Sequence, residues 1–220
     1  MAADLTNEQI EAALTALQEE TPEVVVLPLP DSDSLPDLLG WGRVEAANLA
    51  EAGAIRNDEQ TVEAVALLLS VFTAEPIPPD FAWRFAIIPA FDQPLLTVTV
   101  GFAQAAGDED AALDAMVGAG EPSPAGVHEA DFELDGRSGR HRLAFALRDP
   151  RTGEVAEDGE LWVTAGVACR RDLPAAGMTD VLAVATTPYA AQCVAVLPTI
   201  YELVTGDYLA DTVAEALARR

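Results

Sequence analysis

The segment from Val127 to Arg148 constrains the fold more than any other, because both of its halves alternate in character. From residue 128 to 135, apolar side chains or histidine occupy every second position, and acidic side chains occupy the positions between. The return half, residues 140–148, alternates too, with arginine at 140, 142 and 148. A period of two is typical of a strand with one buried face. The segment therefore predicts a β-hairpin with one face in the core and the other in solvent.

One register of this hairpin suits both faces. Pairing Leu134 with His141 across a loop at residues 136–139 aligns the apolar side chains and opposes the charges. The predicted ion pairs are Asp135 with Arg140 and Glu133 with Arg142. A slip by one residue would move the apolar set to the solvent face. Because Phe132 and Phe145 point inward in this register, we expect either alanine substitution to cost about 3–5 kcal/mol.

The remaining chain predicts helices before and after a group of strands. Helical spacing and capping residues predict helices at 7–19, 44–53, 58–72 and 108–117, then helices from Thr187-Pro188 to Gly206, kinked at Pro198, and from 207 to 218. The run 65–72 also fits a strand, and residues 31–43 read as a loop. β-branched and apolar runs predict strands at 24–27, 81–90, 95–105, 161–169 and 181–185, with the last of them central in the sheet.

This order of helices and strands predicts an α+β fold, mainly an antiparallel sheet flanked by helices in an α/β/α sandwich. We expect a single domain over 1–220, with a helical part at 1–75 and the sheet with C-terminal helices at 81–220.

The charge of the chain limits its partners. The net charge is −25, and residues 1–136 carry 26 acidic side chains against three arginines. Such a surface repels phosphates, which argues against nucleic acid and anionic membranes as partners. The chain contains no lysine, which we interpret as the codon bias of a GC-rich bacterial genome. The N-terminus lacks a basic region followed by an apolar core, so we expect a cytoplasmic protein.

The sequence predicts no catalytic residues, no metal site and no cofactor. In the predicted register His128 and His141 lie near opposite ends of the hairpin, which argues against a shared metal. The flanking Arg140 and Arg142 should disfavour the charged form of His141. Cys169 and Cys193 are expected to be small buried residues rather than nucleophiles.

Four residues are candidates for binding a partner. Trp162 falls on the outward face of its strand, so that a helix or a partner must cover it. Arg140 and Arg142 are used in the predicted ion pairs, which leaves Arg137, Arg148 and Arg151 free. All three belong to the stretch 137–171, which carries seven arginines and five acidic side chains and forms the basic patch of an otherwise acidic molecule.

Residues 81–204 resemble the PsbP-like fold of photosystem extrinsic proteins, a nuclear-transport factor and small actinobacterial lipoproteins. The resemblance lies in the order of a hairpin at 81–105, a helix at 108–117, strands at 127–185 and Thr186-Thr187-Pro188 before a C-terminal helix. The chain departs from the lipoproteins in lacking a signal peptide and a lipid-anchoring cysteine. The resemblance implies binding or scaffolding more often than catalysis.

The expected function is that of a non-catalytic, acidic interaction protein, an adaptor or accessory subunit. Its expected partner is another protein with a basic or amphipathic surface, and a homodimer is left open. One alternative is a small-molecule or lipid-binding domain with a pocket between sheet and helices. Another is a hydrolase whose motif is not visible. An apolar pocket would favour the first alternative, and exposed Trp or Leu side chains would favour an interaction protein.

Overall fold

The computed structural model describes residues 23–27, 35–76, 81–88, 95–149, 151–173 and 176–206. Seven strands form one sheet in the order β1-β2-β3-β7-β6-β5-β4, and every neighbouring pair is antiparallel. The strands are β1 (Glu23–Leu27), β2 (Phe81–Ile88), β3 (Leu96–Gln104), β4 (Val127–Leu134), β5 (Arg137–Arg148), β6 (Glu160–Leu173) and β7 (Gly177–Thr187). The predicted central strand is the middle one of the seven, and the predicted α+β class is confirmed.

Five described helices flank the sheet on both faces: α1 (Leu35–Ala52), α2 (Glu59–Ala74), α3 (Glu109–Val117), α4 (Ala190–Ala195) and α5 (Leu197–Thr205). The α1–α2 pair packs on β1 and β2 around Leu27, Ala86 and Leu69. On the same face, α3 packs on β6 around Ala168. The opposite face carries the largest apolar cluster, in which α4 and α5 cover residues such as Phe85 and Val167.

The β4–β5 hairpin forms, but its predicted register is wrong by four residues. Leu134 pairs with Arg137, and the partner of His141 is Ala130. The turn is the two-residue sequence Asp135-Gly136, and its φ angles of 53° and 74° are both left-handed. Asp-Gly is favoured in this two-residue turn because the turn matches the twist of the flanking strands. A shift of four positions is even, so each side chain keeps its predicted face.

The start of α1 differs from the prediction. Helix α1 begins at Leu35, inside the predicted loop 31–43, because Pro36 is tolerated in a first turn. Within it, a Cβ at Gly42 would lie 2.5 Å from the carbonyl oxygen of Ala66, so this glycine permits close contact with α2. The predicted helix at 58–72 is confirmed as α2, and its segment 65–72 does not form the alternative strand.

The helix predicted from Thr187-Pro188 to Gly206 is two helices. The hydroxyl of Thr187 accepts a hydrogen bond from the Tyr189 amide, and α4 begins only at Ala190. Pro198 lies in the first turn of α5, where it starts a helix instead of kinking one. Gly206 ends α5, as predicted. The predicted helices at 7–19 and 207–218 lie outside the described residues, and the division at residues 75–81 stays a prediction.

Candidate functional site

Trp162 and Arg148 are neighbours on the sheet face that carries α1, α2 and α3. Trp162 is opposite Ala146 and Arg148 is opposite Glu160, which makes the two side chains diagonal neighbours. Trp162 is half-buried and belongs to none of the three apolar clusters of the described residues. Arg148 is not free, because its Nη1 donates to the carbonyl oxygen of Gly153 at 2.8 Å. The outward face of Trp162 is confirmed, and its role with a partner stays a prediction.

Of the other two predicted arginines, Arg137 lies far from Trp162. Arg137 begins β5, about 35 Å along the strand from Arg148. It interacts with its surroundings, so the expectation that it is free is wrong. Arg151 is exposed in the loop after β5. The four candidates therefore do not form one surface.

Arg140 and Arg142 bind acidic side chains other than those predicted. Arg140 contacts Asp131 of β4 at 2.7 Å, and Asp110 and Asp114 of α3 at 2.8 and 3.0 Å. Arg142 contacts Glu129 at 3.1 Å. The predicted pairs with Asp135 and Glu133 are wrong because the register is shifted. Arg140 thereby joins α3 to the hairpin through three carboxylates.

A cavity of about 310 Å³ lies between α3 and the hairpin. Its lining includes Asp114, Glu129, Asp131, Arg140, Val117 and His141. Pockets that bind lipids are lined mostly by apolar and aromatic side chains, whereas four of these six side chains are charged, and Arg140 binds both Asp114 and Asp131. The cavity therefore does not favour the lipid-binding alternative.

The two histidines are neighbours, contrary to the prediction. Their ring centroids lie 5.5 Å apart, and Nδ1 of His141 lies 2.9 Å from the hydroxyl of Tyr201. Burial, with a further contribution from the charge of His128, lowers the pKa of His141 to about 4. The predicted cause, Arg140 and Arg142, is wrong, because these arginines lie on the opposite face of β5. Within the described ranges, no group of three or more His, Cys, Asp or Glu side chains could hold a metal ion.

Both cysteines are buried, as predicted. Burial raises the pKa of the Cys169 thiol to about 12, against the smaller opposing effects of Arg171 and Arg137. Burial also raises the pKa of the Cys193 thiol to about 12. Because the thiolate is the reactive form, neither residue is poised as a nucleophile.

An apolar patch on α2, which the sequence analysis missed, is exposed in the described structure. Leu67, Leu68 and Val71 are 55%, 40% and 44% exposed, and Ala64 is exposed one turn before them. Residues three and four apart are neighbours on a helix surface, so these four side chains are contiguous. We call them the α2 patch.

The signal for this patch was present in the sequence. From Ala64 to Phe72 the only polar residue is Ser70. The opposite side of the helix is already used, because Val65, Ala66 and Leu69 are buried against α1 and the sheet. A helix that is apolar all round requires cover on every side. In the structure, α1 and the sheet cover one side of the helix only, and the α2 patch on the other side stays exposed.

Comparisons with protein-family models, with curated proteins and with solved structures found no match for this chain. The resemblance to the PsbP-like fold therefore stays a prediction. In the part of the chain that the structure describes, every helix is too short or too polar to cross a membrane.

Proposed function

We propose that this protein is a non-catalytic interaction protein, an adaptor or accessory subunit that binds another protein through the α2 patch. The observation that carries the proposal is the exposure of Leu67, Leu68 and Val71 on one side of a helix whose other side is buried. Exposed apolar side chains occur singly on most proteins, but contiguous ones mark interaction surfaces. The proposal keeps the bacterial, cytoplasmic setting that the composition suggests.

The chemistry of the buried groups supports binding over catalysis. The two thiols have pKa values of about 12, so they are protonated at neutral pH. The pKa of His141 is about 4, which keeps its ring neutral, and its Nδ1 is already engaged by Tyr201. A general base works best with a pKa near the working pH. These groups stabilise the fold and do not form a reactive centre.

Affinity capture with a matched pair of proteins tests the proposal. The full chain and its Leu67→Gln/Leu68→Gln variant are each immobilised and exposed to a bacterial lysate, and the bound proteins are quantified by mass spectrometry. We expect at least one protein to bind the wild type and to be depleted on the variant about tenfold or more. Purified, that protein should bind the wild type in solution with the same preference.

A second variant controls for the loss of any exposed leucine. Leu161 is 38% exposed at the start of β6, outside the α2 patch, so Leu161→Gln should capture the same partner as the wild type. Equal capture by the wild type and the patch variant would contradict the proposal.

A further inference from the structure

We infer that the occupant of the α2 patch is a cationic amphipathic helix of the partner protein. This inference rests on the proposed function and names the chemistry of the partner at the same surface. It follows from two independent properties of α2, namely the spacing of its apolar side chains and the sign of the charges around them.

The spacing of the patch matches a helix–helix seam. Ala64, Leu67, Leu68 and Val71 lie at i, i+3, i+4 and i+7. In a heptad written a to g, these are positions a, d, e and the next a, which form the contact stripe of packed helices. A strand would instead require side chains two residues apart. The patch therefore suits a partner helix that places its own a and d side chains along α2.

The charges around the patch select a basic partner. In the same heptad Glu63 occupies a g position, where charge sets partner choice, and its carboxylate pairs with Arg43 at 3.0 Å. Glu75 follows the last residue of α2 as its C-cap. The side chains of Glu63 and Glu75 are 50% and 54% exposed. The surrounding segment, residues 35–76, carries seven acidic side chains and two arginines. Lysine or arginine beside the apolar stripe of the partner would complement this field.

The same charges argue against a second copy of this chain. Pairing α2 with α2 would bring two acidic segments together, within two molecules that each carry a net charge of −25. Like charges at a shared surface oppose association. A basic helix gains from both the apolar and the electrostatic contributions.

Synthetic peptides of about 18 residues, or five helical turns, serve as probes. The first repeats a heptad with Leu at a and d and Lys at e and g. The second carries Glu in place of Lys, and the third has the composition of the first in an order without an apolar face. Fluorescence anisotropy measures the binding of each labelled peptide to the full chain at about 0.15 M salt.

We expect only the first peptide to bind the wild type well. The Leu67→Gln/Leu68→Gln variant should bind it about tenfold more weakly or worse, while Leu161→Gln should bind it as the wild type does. Equal binding of the third peptide would show attraction by charge alone and overturn the inference. Equal binding of the second peptide, or undiminished binding by the double variant, would also overturn it.

Two measurements on the free protein test other occupants. If the wild type forms a dimer by sedimentation and the double variant does not, a second copy covers the patch and the inference is wrong. If the double substitution lowers Tm by much more than about 2 °C, the usual limit for an exposed site, another segment of this chain covers it. Partner capture that depends on the patch, without binding of the first peptide, would leave the proposed function standing and refute only the helix.

Discussion

At the scale of single residues, two buried arginines of the sheet bind the C-terminal ends of two helices. Arg84 of β2 donates to the carbonyl oxygens of Phe72, Glu75 and Pro76 at the end of α2. Arg171 of β6 donates to the carbonyl oxygens of Val204 and Gly206 at the end of α5. The last carbonyls of a helix have no partner within it. Each arginine supplies the missing donors and fixes a helix end to the sheet.

We expect Arg84→Met to destabilise the protein by about 2–4 kcal/mol, because it leaves partly buried carbonyls at the end of α2 unpaired. Denaturant unfolding followed by circular dichroism measures the change. Arg43→Met is the control, since Arg43 pairs with Glu63 on the surface and its loss should leave the unfolding midpoint almost unchanged. Equal effects of the two substitutions would mean that Arg84 does not hold the helix end.

The lowered pKa of His141 predicts that the folded protein loses stability in mild acid. Its pKa is about 4 in the folded protein and about 6.5 in an unfolded chain. Between these values the unfolded state binds the extra proton, so stability falls as the pH decreases from about 6.5 to 4. The full effect is about 3 kcal/mol.

Unfolding free energies measured at several pH values in this window test that prediction. In His141→Phe the dependence on pH should be weaker by most of that amount. Tyr201→Phe retains the imidazole and removes only its hydroxyl partner, so it should keep the acid sensitivity. An unchanged slope in His141→Phe would show that other groups cause the loss.

Phe132 is less buried than the predicted register implied, which lowers the expected cost of its truncation. Phe85 is fully buried, and Phe85→Ala should cost about 3–5 kcal/mol. Phe132 is only half-buried and stacks on Tyr201 at a centroid distance of 4.3 Å. Its truncation should cost about half as much, because it removes less apolar surface from water. Equal losses on denaturant unfolding would contradict this order.

At the scale of elements, the turn between β4 and β5 sets the register of the whole hairpin. Gly136 has a φ of 74° and open space where a Cβ would lie. The only strain in Gly136→Ala is therefore that of a left-handed backbone, about 1 kcal/mol. Gly40 offers a matched control. It lies at an exposed position of α1, has open space where a Cβ would lie, and has no positive φ.

We expect Gly136→Ala to lower the free energy of unfolding by about 1 kcal/mol and Gly40→Ala to raise it by about 0.5–1 kcal/mol. Both follow from denaturant titrations of the same full chain. A stabilised Gly136→Ala variant would mean that the hairpin uses a longer loop, as in the register that the sequence alone suggested.

At the scale of the whole molecule, the net charge of −25 creates a field that acts before contact. Within the proposed function, this field governs how fast a basic partner arrives, and the α2 patch governs how long it stays. The Debye length falls from about 10 Å at 0.1 M salt to about 3 Å at 1 M. Electrostatic steering acts on association more than on dissociation.

We therefore expect the association rate of a purified partner to fall as salt rises from about 0.05 to 0.5 M, while the dissociation rate changes little. Surface-based binding kinetics over that range measure both rates. The Leu67→Gln/Leu68→Gln variant keeps the charge and should show the same salt dependence of association with faster dissociation. An association rate that is flat across the range would assign the acidity to solubility alone.

The sequence determined those features that depend on neighbours along the chain. Period-two alternation placed Phe132 and Arg140 on opposite faces of the hairpin, and the apolar strand at 181–185 indicated the centre of the sheet. These patterns are local, because a side chain's face follows from its position in the strand. The α+β class follows in turn from the order of such elements.

Only the tertiary structure decided the register, the helix ends and the site. Two candidate turns, Asp135-Gly136 and residues 136–139, preserve the same faces, so alternation cannot choose between them. The proximity of His128 and His141, and the bonds of Arg84 to α2, depend on that choice and on the crossing of distant elements. The α2 patch is the clearest case. Leu67 and Leu69 have the same apolarity in sequence, and only the packing of α1 and the sheet leaves the first exposed and buries the second.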